Sequence, residues 1–78
     1  MLGDDGFDTA VKLAINLEVR QCDILGRQIT PIERRWVVRA GFRYHFKGTL
    51  SREKANELAD DVLEIIDETK QHMREQAP

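Results

Sequence analysis

Arg35, Arg39, Arg43 and Lys47 stand at every fourth position of one short stretch, with Trp36, Phe42 and Phe46 among them. Residues four apart share a face of a helix, so these cations would form a basic ridge with large rings beside it. Two kinds of binding suit that mixture. Arg with Trp and other aromatics is enriched at the energetic centres of protein interfaces. The same groups can meet phosphates while rings stack on bases. A third arrangement needs no ligand: the rings fill the core and the Arg stems run outward over it.

A second charged set lies further on. At about 100° per residue, Glu57, Asp61, Glu64 and Glu68 fall within an arc of about 60° opposite an apolar stripe, and Asp60 and Asp67 widen it. This acidic face is expected to be solvated surface, or a secondary docking stripe for a basic partner. It also speaks against a helix-turn-helix reader of DNA, because the helix that would enter the groove would carry it.

Catalytic chemistry finds little support. The chain has no Gly-rich phosphate loop, nucleophile motif or metal-ligand spacing, and His45 and His72 lie far apart without a His or Cys companion. No enzyme activity, cofactor or metal is expected. The residues carry no resemblance strong enough to name a family.

The elements that must position these groups are marked by punctuation. Gly26, the pair Thr30-Pro31 and the run Gly48 to Ser51 divide the chain into three stretches of helix length. The first, from about Asp8 as N-cap to Leu25 with Gly26 as C′, has a narrow polar strip of Lys12, Asn16, Arg20 and Asp23. A helix so apolar needs cover on more than one side, from its neighbours, a second copy or another protein. The third stretch has Ser51 as N-cap, Leu50 stapled to Ala55, and an apolar stripe from Ala55 to Met73.

The middle stretch supports two readings. Thr30, Pro31 and Glu33 form a capping box that starts a helix, and Gly48 is a suitable C′ residue. Yet Trp36, Val38, Ala40, Phe42, Tyr44 and Phe46 alternate with Arg39, Arg43, His45 and Lys47, the period of a strand or of a hairpin near Gly41. Helix is preferred, because an isolated hairpin between two helices would need a partner sheet. The alternative is two helices with a small β-hairpin around residues 36–46.

Composition bounds the rest. Segments 1–19, 20–54 and 55–78 carry −3, +6 and −5, so the total of −2 hides a basic middle between acidic ends. Cys22 is the single cysteine, which excludes an internal disulfide and suits a reducing cytoplasm. No apolar run could span a bilayer, and the start lacks the pattern of a signal peptide.

The expectation is therefore an all-α, compact three-helix domain over 1–78, with loose ends at about 1–6 and 75–78. Its core is expected from Leu13, Leu17, Val37, Tyr44, Leu58, Val62, Ile65 and Ile66. The expected role is that of a small non-catalytic regulatory or adaptor protein. It would bind another protein through Arg35, Trp36, Arg39, Phe42, Arg43, Phe46 and Lys47, as an inhibitor of the antiactivator or antitoxin kind does, or associate with itself through the first helix. The alternative is a nucleic-acid-binding module using the same segment.

Overall fold

A computed structural model describes residues 4–76. Three helices, α1 (Asp4–Leu25), α2 (Pro31–His45) and α3 (Arg52–Gln76), follow one another, and each packs against the other two. The described residues hold no strand. Lys47 and Leu50 form a single bridge within a turn, and residues 36–45 are helical, so the hairpin alternative is excluded.

Local chemistry explains the boundaries. The Glu33 N–H donates to Thr30 Oγ1 at 3.2 Å, and the Thr30 N–H donates to Glu33 Oε1 at 2.9 Å, completing the capping box that opens α2. Ser51 Oγ accepts from the Lys54 N–H at 3.1 Å and opens α3. α1 ends where Gly26 takes φ +69° and the Arg27 N–H reaches back to the Cys22 carbonyl at 3.2 Å. α2 stops at His45 with Phe46 as its cap, two residues before the expected glycine. Gly48, at φ +86°, serves the following turn, in which the Thr49 N–H donates to the Phe46 carbonyl at 2.9 Å.

The ends differ from expectation. α1 begins at Asp4, which places Asp8 inside the helix, where it pairs with Lys12 at 3.0 Å instead of capping. Residues 4–6 and 75–76 are helical rather than loose. Residues 1–3 and 77–78 lie outside the described part.

The core is small and alanine-rich. Ala10 and Ala14 of α1 meet Val38, Phe42 and Phe46 of α2 and its flank, and Ala55, Ala59, Val62, Leu63 and Ile66 of α3. Alanine on two of the helices allows close approach, and Gly41 extends this to α1 and α2: a Cβ at Gly41 would overlap the Leu17 methyls. Phe42 and Phe46 fill the centre with an edge-on ring contact at 5.6 Å. Val62 and Ile66 are buried as expected, and Leu13, Leu17 and Leu58 pack partly buried against them. Val37 is only half-buried, while Tyr44 and Ile65 are exposed. Helical phase is the reason, since Tyr44 lies two residues from both Phe42 and Phe46, about 200° around the helix from each.

Candidate functional site

The side of α2 that faces α3 is closed by charge. Arg39 forms a two-pronged pair with Asp60, Nε donating to Oδ1 at 2.8 Å and Nη2 to Oδ2. This hydrogen bonding holds the Asp60 carboxyl below its ordinary range against the opposing effect of burial, and raises the Arg39 guanidinium. Next along, Arg43 Nη1 donates to Asn56 Oδ1 at 2.9 Å. At the other end Arg34 ties three helices together: Nε donates to Glu18 of α1 at 3.1 Å, and Nη1 to Asp67 of α3 at 2.8 Å. Only 13% of the Arg34 side chain is exposed. Its Nη2 is enclosed without a hydrogen-bond partner among the described residues.

The entry to α2 is fixed by another fork. Arg27 Nη1 and Nη2 donate to the two Glu33 oxygens at 3.0 and 2.9 Å. Arg27 first, and Thr30 second, lower the Glu33 pKa to about 2. The carboxylate thus serves the cap and the loop between α1 and α2, as a structural group.

Two of the expected binding residues must be reassigned. Phe42 and Phe46 lie in the core and present nothing to a partner. Arg39 and Arg43 are engaged by α3, whereas Arg35 and Lys47 are exposed and make no ion pair among the described residues. Trp36 is 66% exposed. The structure adds Tyr44, 84% exposed, with Ile32 and Ala40 in the same row.

The outer face of α2 is therefore Ile32, Trp36, Ala40 and Tyr44, spaced by four, with Arg43 and Lys47 along one edge. The row was readable in principle. The period-two alternation in the sequence is two i,i+4 stripes on opposite sides of one helix: 36, 40 and 44 outward, 38, 42 and 46 inward.

The acidic face of α3 is narrower than its sequence suggests. Glu57, Asp61, Glu64 and Glu68 are exposed, with Glu57 near Lys54 at 3.4 Å. Asp60 and Asp67 turn instead to α2. A hollow of about 640 Å³ between α2 and α3 is lined by Arg34, Arg35 and Arg39 and by Asp60, Glu64, Asp67 and Glu68, so it presents both signs to any visitor.

α1 offers a different surface. Ile15 and Val19 are 43% and 53% exposed, and with Cys22 they line a groove of about 390 Å³ whose far wall is Ile66 and Lys70 of α3. The Cys22 thiol lies 4.0 Å from Gln28 Oε1. Among the described residues, no group of three or more His, Cys, Asp or Glu is placed to hold a metal ion, and no helix is long and apolar enough to cross a membrane. Comparison with protein-family models, curated proteins and solved structures gives no match.

Proposed function

We propose that this chain is a small, non-catalytic regulatory or adaptor protein of the cytoplasm that binds another protein through the outer face of α2 and thereby hides that protein's working surface. One observation carries the reading. Trp36 and Tyr44 project from a rigid helix on either side of Ala40, uncovered by the rest of the fold. Leaving two rings of this size in water forgoes about 1.5–3 kcal/mol each relative to burial, which a partner can recover. Ala40 leaves a gap between them for an apolar side chain, and the exposed Lys47 favours a partner groove with an acidic rim. An antiactivator or antitoxin acts in this way, by helix-in-groove docking.

Pairing of Arg39 with Asp60 weighs against the nucleic-acid reading, since that charge is already met within the domain, and the Asn56 carbonyl holds the Arg43 guanidinium in place. The test is capture from the native cell with the wild-type chain and with Trp36→Ala/Tyr44→Ala. A specific protein retained by the wild type and lost by the double variant, with unchanged circular dichroism, supports the proposal. Equal capture by both chains counts against it. Steep, log-linear salt-dependent binding to generic duplex or single-stranded nucleic acid would favour the alternative.

A further inference from the structure

We draw no further inference here: the strongest candidate, the apolar groove between Ile15, Val19 and Cys22 of α1 and Ile66 of α3, carries nothing because no feature of the structure shows what covers it.

Discussion

The two sides of α2 carry the same kinds of residue and have opposite fates. Towards α1 and α3, Phe42 and Phe46 are enclosed and Arg34, Arg39 and Arg43 are tied to Glu18 of α1 and to Asp67, Asp60 and Asn56 of α3. Away from α3, Trp36 and Tyr44 stand in water, and the exposed Lys47 makes no ion pair among the described residues. Aromatic and basic composition therefore does not mark a binding surface. What separates the sides is whether α3 supplies matching carboxylates and an apolar stripe at the right phase. The basic middle and the acidic third segment meet within the fold at Arg34–Asp67 and Arg39–Asp60, while Arg35, Lys47, Glu57, Asp61, Glu64 and Glu68 stay exposed.

Substitutions at the rings test this contrast most severely. Phe42→Ala should cost about 3–5 kcal/mol in denaturant unfolding, a large share of what so small a domain possesses. Tyr44→Ala and Trp36→Ala should each stay within about 0.5 kcal/mol. Equal losses on the two sides would mean that the outer rings are covered in the free chain.

The Arg34 clasp should come next. Arg34→Ala removes the partner of the half-buried Glu18 and should cost about 2 kcal/mol. Arg34→Lys should recover little of it, since one ammonium cannot reproduce a fork that reaches Glu18 and Asp67 together. Thermal or denaturant midpoints decide the matter. Gly41→Ala should gain less than the ~1 kcal/mol that the better helix propensity of alanine offers, because the new methyl must displace the Leu17 methyls. A double-mutant cycle with Leu17→Ala should show coupling, and additivity would remove the close contact as the cause.

The exposed pair at the start of α2 should give the smallest effect. Glu33 has a folded pKa of about 2 against an ordinary 4.5, so its contribution is complete above about 4.5 and is lost as pH falls towards 2. Acid titration of Glu33→Gln should lack that component of the wild-type slope over this window. Asp60, also lowered by Arg39, adds to the loss in the same direction from just below its ordinary value of 3.8, so the comparison must be made with Asp60 intact.

Much of the fold was legible because its signals are local. Thr30, Glu33, Ser51 and Gly26 act on backbone groups within a few residues, and the apolar stripe of α3 follows from helix period alone. The start of α1 was less legible, since Asp8 has the chemistry of a cap and nothing nearby shows that the helix already runs past it. The candidate site was half legible. Trp36, Arg35 and Lys47 are exposed as the sequence reading has them, but Phe42 and Phe46, read there as partner-facing, are core, and Tyr44, read there as core, is exposed. Each ring suits either place, and only the direction from which α1 and α3 approach distinguishes them.

By itself, then, the sequence determined three helices, the caps that open α2 and α3 and the glycine that closes α1, the amphipathic phase of α3 and the sorting of charge along the chain, because propensity, capping and periodicity are short-range. Tertiary structure alone decided which of two opposite aromatic stripes of α2 is core and which cations meet carboxylates. It also decided that α1 keeps an uncovered flank. These outcomes depend on the rotation and spacing of helices far apart in sequence, where a turn of about 100° exchanges an interior residue for a surface one.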